Sequence, residues 1–81
     1  MTGGAPRELI DASGLKCPEP IRMLHAAMRR LQPGEDLTLE ATDPSTQRDV
    51  PNFCEFLGHS LLKAEQLGEV FHYRIRKSQG E

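Results

Sequence analysis

Between Pro18 and Gln32 the apolar residues recur at steps of three and four. Ile21, Leu24, Met28 and Leu31 share one side, while Arg22, His25 and Arg29 share another. That spacing predicts an amphipathic helix, stopped by Pro33-Gly34. Ahead of it, Glu8-Leu9-Ile10-Asp11 predicts a short strand, and Gly14 gives the connection from Ala12 to Lys16 the freedom for a tight approach. After the helix the period changes to two. Leu37-Thr38-Leu39-Glu40-Ala41 alternates and predicts a strand with one wet face. Asp43-Pro44 resembles a cap followed by proline, but Pro51 opposes a single helix running on from there. A turn is therefore expected from Pro44 to Arg48, with the second helix starting near Asp49 and ending at Gly58. Val50, Phe53, Cys54 and Leu57 form its apolar stripe. Ser60 to Gln66 predicts a third strand, Leu67-Gly68 a turn, and Val70 to Lys77 a fourth strand. In that last strand Phe71, Tyr73 and Ile75 face one way, and His72, Arg74 and Arg76 the other.

The order β-α-β-α-β-β predicts an α/β two-layer sandwich, a four-stranded mixed sheet with two helices on one face. At 81 residues the chain is one domain with a thin core. The expected organisation is a flexible tail over 1–7, one domain over 8–77 and a flexible tail over 78–81.

Charge narrows the function. Ten Lys+Arg against twelve Asp+Glu, net −2, argue against broad nucleic-acid binding and leave only a local basic face at His72, Arg74 and Arg76. An RNA-binding or regulatory interaction module is kept as an alternative on that face. The absence of a signal-type or membrane-spanning apolar run, together with only two cysteines, predicts a reduced, cytoplasmic protein without membrane association. Metal binding is not expected, since Cys17 and Cys54 form no CxxC and His25, His59 and His72 do not pair at ligand spacing.

The candidate chemistry lies in Cys17-Pro18-Glu19-Pro20. The pattern puts Cys17 at the N-cap and Pro18 at the first helical position. Pro20 has no N–H, which leaves the Glu19 N–H to face the sulfur. The helix dipole, Lys16 and Arg22 favour a thiolate while Glu19 opposes them, so a lowered Cys17 pKa is expected. No histidine is placed as a base for Cys17, and no resolving cysteine accompanies it. Acyl transfer and dithiol cycling therefore lack their parts, whereas persulfide exchange needs only a nucleophile and a docking surface. Cys54, on an apolar stripe, reads as core. Asp43 and Asp49 read as caps, and the Arg22/His25/Arg29 side reads as a solvated face or a docking surface for an acidic partner.

The motif, together with Leu9 to Lys16, Asp43-Pro44, Arg48-Asp49-Val50-Pro51, Phe53-Cys54 and Gly58-His59, resembles the TusA/SirA-like sulfur carriers. The resemblance runs from about Glu8 to Lys77, and the second half is most similar to the TusA branch. It implies a sandwich of the initiation-factor-3 C-terminal type. It implies that Cys17 accepts sulfur as a persulfide from a cysteine desulfurase and relays it to a TusD-like or DsrE-like acceptor, for 2-thiolation of the tRNA wobble uridine. It further implies Pro18, Glu19 and Pro20 as motif-shaping residues and Arg29 and Asp43 as partner-docking residues, to which Lys16 and Arg22 are added for their positive charge near Cys17. By the same resemblance the carrier holds no cofactor or metal, since the pyridoxal phosphate resides on the desulfurase. It would bind no nucleic acid stably and act as a monomer. Sulfur oxidation or general sulfur trafficking is the alternative route.

Overall fold

Right-handed crossovers that step in the same direction across a sheet put their helices on the same face. This chain makes two crossover steps in the same direction across its sheet. In the computed structural model, which describes residues 8–78, β1 (Glu8–Ala12) passes through α1 (Glu19–Arg30) to β2 (Asp36–Ala41). β2 then passes through α2 (Thr46–Leu57) to β3 (Ser60–Leu67), and a hairpin leads to β4 (Val70–Arg76). The sheet order is β1-β2-β4-β3, with β1 parallel to β2 and β4 antiparallel to both neighbours. β4 thus fills the gap that the second crossover leaves. The mixed four-stranded sheet with two helices matches the expected class. Of the tails expected over 1–7 and 78–81, residues 1–7 and 79–81 lie outside the described residues, and Ser78 donates its N–H to His59 Nδ1 at 3.0 Å.

Strand alternation supplies one side of the core. Leu37, Leu39, Phe71, Tyr73 and Ile75 point inward and meet Leu24 and Met28 of α1 and Val50 and Phe53 of α2. Leu31 is buried just past α1, as the stripe predicts. α2 ends at Gly58, whose φ of 79° is left-handed; its N–H and that of His59 both reach the Cys54 carbonyl.

α2 departs from expectation at its start. It begins at Thr46 rather than near Asp49, and Pro51 lies inside it. Successive N–H groups from Thr46 to Asp49 bond back to Asp43, Pro44 and Ser45 carbonyls. The Thr46 hydroxyl anchors this turn, donating to the Asp43 carbonyl at 2.7 Å and lying 2.9 Å from the Tyr73 hydroxyl. Pro51 removes one bond of the ladder, but burying Val50 and Phe53 is worth about 1.5–3 kcal/mol each, which offsets that loss.

On the open face the charges pair across the strands. Asp36 is opposite Arg76 and bonds it at 2.7 Å, and Arg74 reaches the same carboxylate at 3.0 Å. Glu40 is opposite His72 at 3.4 Å. The basic strand face therefore carries its own counter-charge. The Arg76 and Arg74 guanidinium groups hold the Asp36 carboxyl below the usual range against the opposing effect of burial. A lowered folded pKa means that this stabilisation is present above about pH 4, the unfolded value, and fades as pH falls through the folded one. Asp36→Asn is expected to cost about 1–2 kcal/mol at pH 7, less than a fully buried pair because both guanidinium groups reach water. Urea unfolding at pH 7 and pH 3 checks it, since the gap between variant and parent should shrink at the lower pH.

Candidate functional site

Parallel pairing carries the C-terminal ends of β1 and β2 to the same edge, where Ala12 is opposite Ala41. The loops that follow them, one holding Cys17 and the other Asp43, therefore start side by side. The first loop tightens at once, with the Leu15 N–H bonding the Ala12 carbonyl and the Ser13 N–H bonding Asp11 Oδ1. Gly14 has φ of 82°, and a Cβ there would meet nothing within 4 Å, so backbone conformation rather than space selects glycine. Its N–H donates to Thr42 Oγ1 at 2.9 Å, which ties the two loops together.

The motif sits one residue differently from the sequence pattern. α1 begins at Glu19, so Pro18 is the N-cap, Pro20 is the second helical residue, and Cys17 precedes the cap. The Cys17–Pro18 peptide is cis. The Glu19 N–H, expected to face the sulfur, bonds the Lys16 carbonyl at 2.8 Å instead. Pro20 is fully buried and anchors the first turn, whereas Glu19 is exposed and pairs loosely with Arg22 at 3.9 Å.

Carboxylates, not helix N–H groups, surround Cys17. Its N–H donates to Asp43 Oδ2 at 2.7 Å, and Asp43 Oδ1 takes the Ser45 N–H at 3.1 Å. Those two N–H groups, Ser45's first, hold the Asp43 carboxyl below its ordinary range, aided by the charge of Lys16. The Cys17 thiol donates to Asp49 Oδ2 at 3.4 Å. The Asp49 hydrogen bond, then desolvation and the charges of Asp49 and Asp43, push the Cys17 pKa up. The Ser45 hydroxyl, buried without a partner of good geometry, opposes this weakly. The expected lowering is thus reversed. A helix end offers a partial positive charge, while here one carboxyl group takes the thiol's hydrogen bond and a second holds the same residue's N–H.

The exposed sulfur opens onto a groove of ≈ 700 Å³ between α1 and α2. Pro18 and Ile21 form one wall, and Asp49, Asn52, Phe53 and Phe56 form much of the other. Phe56 is 87% exposed, an unusual place for a phenyl ring. These four α2 residues follow i, i+3, i+4, i+7, a second stripe beside the core stripe that the sequence reading passed over. Of the docking candidates, Asp43 and Lys16 lie at the cysteine loop. Arg22 is exposed on the first turn of α1, and Arg29 lines a separate cavity of ≈ 270 Å³ with His25 and His59. His25 packs its ring edge on Phe53, with centroids 5.8 Å apart. Among the described residues no His/Cys/Asp/Glu group could hold a metal, and no helix is long and apolar enough to cross a membrane.

Cys54 is the opposite of Cys17. It is buried, and desolvation pushes its thiol up to about 11. Iodoacetamide is expected to label Cys17 alone in the folded chain, with Cys54 reacting only on unfolding in urea. In a pH titration of thiolate absorbance, Cys17 should ionise above the ordinary thiol value of about 8.5. Ionisation below that value would contradict the carboxylate site.

The family model described as Sulfurtransferase TusA matches residues 8–77. The sulfur carrier protein TusA of Pseudomonas putida (strain GB-1) is 52% identical over 77 residues, covering 95% of this chain and 96% of that one. The protein of the same name from Pseudomonas aeruginosa (strain UCBPP-PA14) is 52% identical over 69 residues, covering 85% and 87%. The crystal structure of a SirA-like protein from Desulfitobacterium hafniense shares the fold, with a TM-score of 0.77 at 22% identity over 88% of this chain and 97% of that one.

Proposed function

The chain belongs to the TusA sulfurtransferase family, and from that premise we propose that it carries sulfur as a persulfide on Cys17. The observation that carries the reading is an exposed thiol, fixed through its own backbone N–H by Asp43, at the mouth of an apolar groove. Cys17 attacks the terminal sulfur of a donor persulfide, and the donor leaves as a thiol. The loaded sulfur then faces the groove, where an acceptor thiolate attacks it and Cys17 returns to the thiol. No metal or redox cofactor enters this exchange, because a persulfide and a thiol merely trade places. The donor in this reading is a cysteine desulfurase and the acceptor a TusD-like or DsrE-like protein, in the cytoplasm, with tRNA wobble-uridine 2-thiolation as the end point.

Nothing on the open sheet face favours the RNA-binding alternative, since Arg74 and Arg76 both bond Asp36. The test is direct. The chain is incubated with desulfurase and cysteine, digested, and its peptides are weighed. One added sulfur on the Cys17 peptide is the expected result; sulfur on the Cys54 peptide, or on neither, would sink the reading.

A further inference from the structure

When Cys17 gains a second sulfur, the atom that held a hydrogen becomes a bridging sulfur that holds none. The proton must leave during the exchange. In the empty carrier the thiol already points it at a carboxylate, with Sγ 3.4 Å from Asp49 Oδ2. We infer that Asp49 is a catalytic residue of the persulfide exchange, taking the Cys17 proton as the new sulfur–sulfur bond forms. The inference rests on the carrier reading above and adds to it the group that handles the proton.

Two neighbouring observations separate Asp49 from the other carboxylate at the site. Both Asp43 oxygens are occupied by backbone N–H groups, of Cys17 and Ser45, so Asp43 holds the loop. Asp49 has one oxygen on the sulfur and the other on Arg48 Nε at 3.3 Å, both exposed contacts that solvent or a partner can reach. Its position is set by α2, one turn ahead of Phe53, whose ring is in the core. A rigid helix therefore aims the acceptor oxygen into the mouth of the groove.

The step balances without any further reagent. Cys17 Sγ bonds to the donor's terminal sulfur, and the donor's own sulfur–sulfur bond breaks with its electron pair left on the donor sulfur. The Sγ proton passes to Asp49 Oδ2 and from there to the donor thiolate. A thiol and a persulfide have become a persulfide and a thiol, with no net oxidation. Discharge is the same exchange in reverse, Asp49 returning a proton to Sγ as it leaves.

The experiment compares the parent chain with Asp49→Asn and Asp49→Glu. The donor is glutathione persulfide, so the result does not depend on a desulfurase. Thiolate absorbance gives the Cys17 titration, and mass spectrometry gives the rate of sulfur uptake at pH 7. In Asp49→Asn the thiol should titrate lower, so more of it is thiolate, yet uptake should slow by about tenfold, the typical loss of about a hundredfold or more on removing a general base being partly offset by the larger thiolate fraction. Asp49→Glu should load faster than Asp49→Asn. Circular dichroism confirms that each variant is folded. Uptake by Asp49→Asn equal to or faster than the parent would overturn the inference, reducing Asp49 to a local charge. A parent chain that titrates at Cys17 but takes up no sulfur would overturn the carrier reading itself.

Discussion

Cys17→Ser is expected to fold as the parent does and to carry no sulfur. The side chain is exposed and contributes nothing to the core, and its one side-chain hydrogen bond, to Asp49, is one that a serine hydroxyl can also make. Stability should therefore stay within about 0.5 kcal/mol of the parent, as for surface substitutions generally. The chemistry disappears because an oxygen in that place does not take sulfur from a persulfide. With labelled cysteine and a desulfurase, the variant should emerge unlabelled while its urea midpoint is unchanged. Cys54→Ser is the complementary case. It should load normally but lose about 1–3 kcal/mol, because a hydroxyl replaces sulfur at a site only 3% exposed. Label retained in Cys17→Ser would show that another group carries the sulfur.

The other large effect is on stability. Leu24 is fully buried and fastens α1, whose first turn bears Pro18 to Pro20, onto the sheet. Leu24→Ala should cost about 2–5 kcal/mol, from lost apolar burial and the cavity left behind. A domain of this size has a total stability on the order of 4–12 kcal/mol, so the loss is a large part of the whole. Urea unfolding reads the loss, and native-state alkylation of buried Cys54 reads it independently, since that thiol is exposed only on opening. A loss below about 1 kcal/mol would mean that α1 is held elsewhere, for example by the exposed Arg30–Glu8 pair at 2.8 Å.

Both expectations lean on features that are legible in the sequence. Of the stripe at steps of three and four, Leu24, Met28 and Leu31 are buried as read and Ile21 partly so, and the alternation of Phe71, Tyr73 and Ile75 against His72, Arg74 and Arg76 separates core from open face. Gly58 ends α2 with a positive φ. Cys17 stood out because prolines flank a helix start, and its counterpart Cys54 because it lies on an apolar stripe. Each of these depends on residues within one or two turns of each other, where backbone period and capping chemistry suffice.

Two local readings failed for reasons that are not local. The start of α2 moved from near Asp49 to Thr46 because Thr46 bonds Tyr73, a residue of β4. The cap at Pro18 shifted Cys17 out of reach of the helix N–H groups. The groove-lining stripe of Asp49, Asn52, Phe53 and Phe56 was present in the sequence at helical spacing. It gained meaning only when α1 placed Pro18 and Ile21 across from it.

The sequence by itself therefore determined the elements, their inward faces, the fold class and the place of Cys17 just ahead of the first helix. Tertiary structure alone decided what that cysteine is like. Parallel pairing of β1 and β2 brings together Cys17, Asp43 and Asp49, groups 26 and 32 positions apart along the chain. The sign of a pKa shift follows from distances to full charges, and no periodicity encodes those distances. Composition and motif pointed to a thiolate eased by a helix end, whereas the fold sets two carboxylates beside it, and they push its pKa up.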